Sequence, residues 1–232
     1  MEAAMRADCL TRAKAVRRAK IRAKNEPPLL SVPEERFNAA SHGLGAVLAA
    51  GAMWVLLEKS ETGVQTAAAL VYGVSMVLMM LMSAVYHAMP AGSRAKRICR
   101  RFDYSSIYLL IGGTFAPILL VYVGGTPGLA LFAAQWTVIL AGVALVILFG
   151  PGRWRPLHFT LYFLIGWSGL AFLPEFLLHE RTLLWFILAG GLVYTLGMIP
   201  FARHRKNDHC LWHVCVLAAA ALQWMGICTQ LY

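Results

Sequence analysis

The sequence predicts an all-α membrane protein, a bundle of seven transmembrane helices, and three observations lead to this prediction. Hydrophobic residues make up 59% of the chain and charged residues only 14%, whereas soluble domains are about one quarter charged. The charged residues are confined to short stretches between long apolar segments. Lys and Arg also concentrate in every second connecting stretch. Helices suit such segments, because lipid leaves no external partner for backbone N–H and C=O groups.

Seven segments come near the ~20 residues that a helix needs to cross a bilayer. They are predicted at about 41–57, 65–89, 104–123, 128–149, 157–178, 183–201 and 210–231. The first is short and interrupted by glycines. The third and fourth are separated by a tight turn at 124–127 (Gly-Gly-Thr-Pro), without which they would form a single apolar run too long for one crossing. Pro117 and Pro174 are expected to kink the third and fifth helices.

The distribution of basic residues predicts the orientation. Of the 21 Lys and Arg residues, 19 lie on one side of the predicted membrane, and only Lys59 and Arg181 lie on the other. The positive-inside rule then places the N-terminus in the cytoplasm and the C-terminus outside. We expect a multi-pass protein of the cell membrane, in bacteria the inner membrane, with membrane lipids as partners. A nucleic-acid partner is not expected, because the basic residues follow the membrane edges.

The chain divides into a basic cytoplasmic extension, residues 1–33, and a seven-helix membrane domain, residues 34–232. The first 24 residues are rich in alanine and basic residues, which favours a helix whose polar face lies on the inner leaflet. A partly disordered tail is the alternative.

Three histidines are the most informative residues of the membrane domain. His87 ends the second segment, and His209 and His213 begin the seventh, so the predicted topology brings all three to the cytoplasmic side. His209 and His213 are also one helical turn apart on one face. Histidine is costly in a bilayer, so its repetition at one depth indicates a site. Three imidazoles with water as a fourth ligand form a catalytic zinc site, and we expect Zn²⁺ at His87, His209 and His213.

Two further residues lie at the same depth. Asp103 begins the third segment, and Ser83 lies one turn before His87. Asp103 is the nearest carboxylate that could hold a zinc-bound water and take its proton, and Ser83 could donate a hydrogen bond there. His42, at the cytoplasmic end of the first segment, could support the ligands.

Simpler interpretations of these residues stay open. A His-x-x-x-His spacing is common by chance, and here it lacks the glutamate of the metalloprotease pattern. Asp103 could pair with Arg100 or Arg101. Ser83 could bond to the helix carbonyl four residues earlier.

At these residues the chain resembles the hemolysin III-like bacterial membrane proteins of the progestin and adipoQ receptor family, which are related to the alkaline ceramidases. The matching stretches run in family order and span roughly residues 34–232. They are Glu35–Gly45, Ser83–His87, Phe102–Pro117 and His209–His213.

The resemblance implies seven helices, a cytoplasmic N-terminus, zinc on the three histidines, and functional roles for Ser83 and Asp103. Receptor members of the family look like lipid amide hydrolases, and the bacterial branch is linked to hemolysis and membrane fluidity. Three functions are therefore open. The first is a zinc-dependent hydrolase of a ceramide-like lipid amide, or a lipid or membrane-fluidity sensor built on its site. The second is a pore-forming, cytolytic protein, and the third is a non-catalytic receptor stabilised by zinc.

Overall fold

The computed structural model describes residues 2–203 and 205–232, apart from the side chains of residues 2–5, 7–10, 13 and 18. Its described part is helical and contains no strand. The helices, in chain order, are α1 (Glu2–Asn25), α2 (Val32–Glu58), α3 (Gly63–Ala88), α4 (Arg94–Pro117), α5 (Gly125–Phe149), α6 (Arg155–Gly166), α7 (Leu173–His179), α8 (Arg181–Arg203) and α9 (Asp208–Gln230).

Within the described ranges, seven helical segments are long and apolar enough to cross a membrane, which confirms the predicted number. They are α2, α3, α4 with its extension to Val123, α5, α6 with α7, α8 and α9. The first of them begins at Val32, earlier than the predicted residue 41. Ser31 and Glu34 form a capping box that starts the helix there. Hydropathy alone excluded this polar first turn.

Two helices are interrupted near the predicted proline positions. After Pro117, α4 continues as a wider π-helical stretch over Ile118–Val123, which ends at Gly124 and Gly125 with φ of 64° and 56°. Such positive φ values favour glycine, which explains the tight turn into α5. The fifth span breaks earlier than expected, because α6 ends at Gly166 and Pro174 instead lies in the first turn of α7. Proline is tolerated there, since that N–H group has no partner within the helix.

The spans form a closed ring in which α3 and α4 are the most buried helices. In the most apolar stretches of α3 and α4, 56% and 61% of residues are buried, against 17–22% in α2, α5 and α8. Neighbours in sequence pack against one another, and α2 also packs against α9, which closes the ring. The peripheral helices expose apolar faces, as α8 does with Leu192, Leu196 and Ile199. These faces suit lipid, which matches a protein that crosses the membrane.

Glycines allow α3 and α4 to approach closely. A Cβ atom on Gly113 of α4 would lie 2.5 Å from the Cβ atom of Ser75 and 3.3 Å from the backbone oxygen of Val71, both in α3. Small residues at such contacts are typical of helix packing in membranes. The contact between α3 and α4 therefore depends on the missing side chain of Gly113.

We predict that Gly113→Leu destabilises the protein by about 1–3 kcal/mol or more, because the added side chain must push α3 and α4 apart. The measurement is the midpoint of thermal unfolding in detergent. Gly51→Leu is the matched control, since a Cβ atom there meets nothing within 4 Å. Equal midpoints for the two variants would contradict the tight packing of α3 on α4.

Candidate metal centre

The three predicted histidines come together at one end of the bundle. This end, called here the basic end, carries the loops at 89–93, 150–154 and 205–207, together with the C-terminus of α1. His87 is in the last turn of α3, and His209 and His213 are in the first two turns of α9. His87 and His213 are buried and His209 is half-buried.

The spacing of the ring nitrogens fits a metal ion. The Nε2 atom of His87 lies 3.2 Å from the Nε2 atoms of both His209 and His213. One ligand atom from each of the three histidines lies within 4.8 Å of the others. Tetrahedral zinc with bonds of about 2.0–2.1 Å to nitrogen requires neighbouring ligand atoms to be about 3.3–3.4 Å apart. The three histidines could therefore hold a metal ion.

A carboxylate fixes the orientation of His87. The Oε2 atom of Glu35, in the first turn of α2, lies 2.7 Å from Nδ1 of His87. In this arrangement Nδ1–H donates to the carboxylate, and Nε2 presents its lone pair to the other two histidines. A single lone pair is poorly suited to two N–H donors, whereas a metal ion satisfies all three nitrogens. Carboxylate-to-histidine hydrogen bonds of this kind accompany metal-bound histidines in proteins.

A buried lysine holds Glu35 in turn. The ammonium group of Lys96, in the first turn of α4, lies 2.8 Å from Oε1 of Glu35 and donates to the backbone oxygens of Tyr86 and Met89, each at 3.2 Å. These contacts use all three ammonium donors. The side chain is 2% exposed, so its charge is balanced inside the protein by Glu35. The lysine thereby connects α4 to α2 and to the end of α3.

The start of α9 is held by a second set of polar contacts. Asp208 accepts from the Nε and Nη2 atoms of Arg203 at 3.0 and 2.7 Å and from the backbone N–H of Arg205 at 2.8 Å. Asn207, with a positive φ of 63°, donates its backbone N–H to Glu34 at 2.8 Å. These contacts set the first turn of α9 and, with it, the position of His209.

Asp103 and Ser83 lie beside the histidines. The carboxyl group of Asp103 interacts with the hydroxyl group of Ser83 and with the ring of His87. Asp103 is not part of the group whose ligand atoms lie within 4.8 Å of one another. Arg101, a suggested partner, instead donates to the backbone oxygens of Ile147 and Leu148. The carboxyl group is thus next to the three histidines and outside their group.

His42, which the sequence placed at the depth of the three histidines, contacts one of them. Its ring stacks on that of His213, with centroids 3.8 Å apart, and it is 1% exposed. This contact restricts the rotation of the His213 ring.

An apolar cavity of about 110 Å³ lies next to the histidines, between α4, α6, α8 and α9. Its lining includes Phe201, whose ring centroid is 5.7 Å from that of His209, and Trp212, whose ring is 5.0 Å from Phe201. The side chain of Phe201 therefore lies between the cavity and His209. Aromatic and aliphatic side chains dominate the rest of the lining, which suits a hydrocarbon chain.

Glu35, Lys96 and Phe201 were not predicted as site residues. Glu35 was placed outside the first span, because that span was predicted to begin at residue 41. The capping-box pattern from Ser31 to Glu34 would have moved the helix start and put Glu35 at the depth of the histidines. No local pattern predicts that Lys96, and not another of the nearby basic residues, pairs with the Glu35 carboxylate.

Comparison with known proteins places this arrangement in a family. The model of the family described as haemolysin-III related matches residues 30–224, most of the chain. The chain belongs to the haemolysin-III-related family. It is 33% identical to Hemolysin-3 of Bacillus cereus, over 87% of this chain and 92% of that protein.

More distant relatives of this haemolysin-III-related protein occur in animals. It is 24% identical to the human monocyte to macrophage differentiation factor, over 86% of this chain and 85% of that protein. It is 23% identical to the adiponectin receptor protein of Drosophila melanogaster, over 86% of this chain and 51% of that protein. The family and the seven spans together show that it is a multi-pass bacterial membrane protein.

We predict that the purified haemolysin-III-related protein binds about one metal ion per chain, and that His209→Ala/His213→Ala loses it, because two of three ligands are removed. Glu35→Ala should weaken the affinity about 10–100-fold, since His87 loses the partner that orients its ring. Elemental analysis and a competitive zinc titration in detergent measure these effects.

The matched control is Glu58→Ala, which removes an exposed carboxylate at the other end of α2. Wild-type metal affinity in Glu35→Ala would contradict the orienting role of Glu35. Absence of bound metal from folded wild-type protein would contradict the metal centre itself.

Proposed function

We propose that this protein is a zinc-dependent hydrolase of a membrane lipid amide of ceramide type. The observation that carries the proposal is the joint position of three converging histidines and an adjacent carboxyl–hydroxyl pair at one end of the bundle, with an apolar cavity behind Phe201. Imidazole donors suit zinc, although they also suit other transition metals. A divalent ion bound there supplies Lewis acidity, which polarises a carbonyl oxygen and acidifies water.

Asp103 is proposed as the general acid and base of the reaction. Its carboxyl group lies beside His87 and outside the group of three histidines, so it is available for proton transfer. It would take a proton from the attacking water and pass it to the amide nitrogen as the C–N bond breaks. Ser83 is proposed to orient this carboxyl group through the contact between the two side chains.

The class of substrate follows from the surroundings of the site. The histidines lie where apolar helices meet the polar loops, so an amphipathic molecule can hold its polar linkage there and its hydrocarbon chain in the bilayer. The cavity behind Phe201 is lined mainly by apolar side chains and suits part of such a chain. An amide rather than an ester is proposed from the resemblance to the alkaline ceramidases.

We predict that Asp103→Asn abolishes hydrolysis of a fluorescent ceramide in detergent micelles while metal content stays at the wild-type level. Loss of a positioned acid–base group costs about 10²–10⁴-fold in rate. Ser83→Ala should lower the rate less, because it removes a positioning contact. Release of the labelled fatty acid is the measurement.

Glu175→Gln is the control for this experiment, because it makes the equivalent change at an exposed carboxylate of α7 that pairs with His179. Equal turnover by Asp103→Asn and Glu175→Gln would exclude Asp103 as the acid–base group. Metal binding without amide turnover in the wild type would favour a lipid or membrane-fluidity sensor, or a receptor stabilised by zinc.

The name of the Bacillus cereus relative, Hemolysin-3, favours a cytolytic function as the second candidate. We predict no dye release from liposomes reconstituted with this protein, because its described cavity within the helices is lined mainly by apolar side chains and not by a polar pathway. Dye release that scales with protein concentration and persists in Asp103→Asn would support cytolysis instead.

A further inference from the structure

A second cavity, of about 820 Å³, lies at the basic end, away from the histidines. The last turn of α1, the first turns of α4, the end of α5 and the loop after it form its walls. Of the described residues that line it, five are arginines and one is a glutamate. They are Arg22, Arg94, Arg97, Arg101, Arg153 and Glu26.

Among the described residues, most of this positive charge lacks a close acidic partner. Glu26 lies 3.8 Å from Arg22 and 3.7 Å from Arg97, which are long distances for ion pairs. Arg101 donates to backbone oxygens of α5, and the Arg153 guanidinium lies over two aromatic rings, at 4.8 and 4.5 Å. Carbonyl groups and rings orient these guanidinium groups but do not neutralise them. An anion in the cavity would therefore find several cations already positioned.

The same cavity has an apolar side. Its lining includes Ile98, Phe102 and Leu148, which are 44%, 47% and 66% exposed. Ile98 and Phe102 lie on α4 and Leu148 on α5, both of which cross the membrane. Hydrocarbon leaving the cavity would thus continue along the surface that faces lipid. A soluble anion would leave this apolar side without a partner.

The α1 wall is fixed to the membrane domain by specific contacts. Arg100 donates Nη1 to the backbone oxygens of Asn25 and Glu26, at 3.0 and 2.9 Å. The Asn25 amide donates to the backbone oxygen of Phe149 and accepts from the backbone N–H of Gly152, at 3.0 and 2.8 Å. A Cβ atom on Gly152 would lie 1.8 Å from the Lys24 backbone oxygen, so the loop is pressed against α1. The cavity is therefore built, in part, by the N-terminal extension.

We infer that this cavity binds the phosphodiester headgroup of one anionic phospholipid, with its acyl chains along α4 and α5. Arginine suits phosphate, since its planar guanidinium group can donate two parallel hydrogen bonds. Basic pockets between transmembrane helices recognise anionic lipid headgroups in this way. The apolar side favours a lipid over free phosphate. The site is separate from the histidines and does not depend on the hydrolase proposal.

The test is a lipid titration of the full-length protein in a nonionic detergent, followed by native mass spectrometry. Phosphatidylglycerol should bind saturably at about one molecule per chain, while phosphatidylcholine and inorganic phosphate should not bind at matched concentrations. The triple variant Arg94→Gln/Arg97→Gln/Arg153→Gln should weaken phosphatidylglycerol binding about 100-fold. Each cation removed is expected to contribute a factor of about five. Arg94→Gln alone, which keeps the α1 contacts, should weaken it about fivefold.

The matched control is Lys14→Gln/Arg17→Gln/Lys20→Gln, which removes three exposed charges from α1 outside the cavity. This variant should bind phosphatidylglycerol as the wild type does. Equal weakening in the control would show attraction to the basic helix in general and would overturn the site. Three other results would also overturn the site. They are unchanged phosphatidylglycerol binding in both arginine variants, equal binding of phosphatidylcholine, and competition by inorganic phosphate.

Discussion

Two adjacent carboxylates in the first turn of α2 hold the candidate metal centre together. Glu35 contacts His87 of α3 and Lys96 of α4, and Glu34 accepts from Asn207 at the start of α9. The same Glu34 closes the capping box with Ser31. One helical turn thus fixes the ends of three other helices. Because α3 and α9 carry the histidines, an error in this turn would move the ligands apart.

The charged groups that surround the three histidines lie at the basic end of the bundle. Deeper in the bundle, hydroxyl groups such as those of Ser75, Thr114 and Thr195 donate to the carbonyl four residues earlier in their own helix. These three hydrogen bonds stay within one helix, and Thr195 also accepts from another segment, the indole N–H of Trp167. Neighbouring helices can then pack through glycine and apolar side chains. The charged groups of the site can instead be satisfied at the end of the bundle, where the loops supply backbone oxygens.

The fold and the grouping of the three histidines could be predicted from sequence because both depend on patterns along one chain. Apolar length gives the spans, the Lys and Arg alternation gives their order through the membrane, and this order brings His87 to the end shared by His209 and His213. The predicted start of the first span was wrong, because a hydropathy criterion does not recognise a capped polar turn as part of a helix. The partners of His87 and Lys96 could not be predicted, since they depend on distances between helices that no local pattern encodes.

Helix α4 explains how two sites can share one end of the bundle. Residues advance about 100° around a helix, so Lys96, Arg100 and Asp103 lie on one face, and Arg94, Arg97 and Arg101 lie on a second face about 130° away. The first face turns toward Glu35, Ser83 and His87. The second face lines the cavity at the basic end that five arginines surround. Arg100 reaches from the first face to the carbonyl groups that end α1. The candidate metal centre and the arginine-lined cavity are therefore bordered by different faces of the same helix.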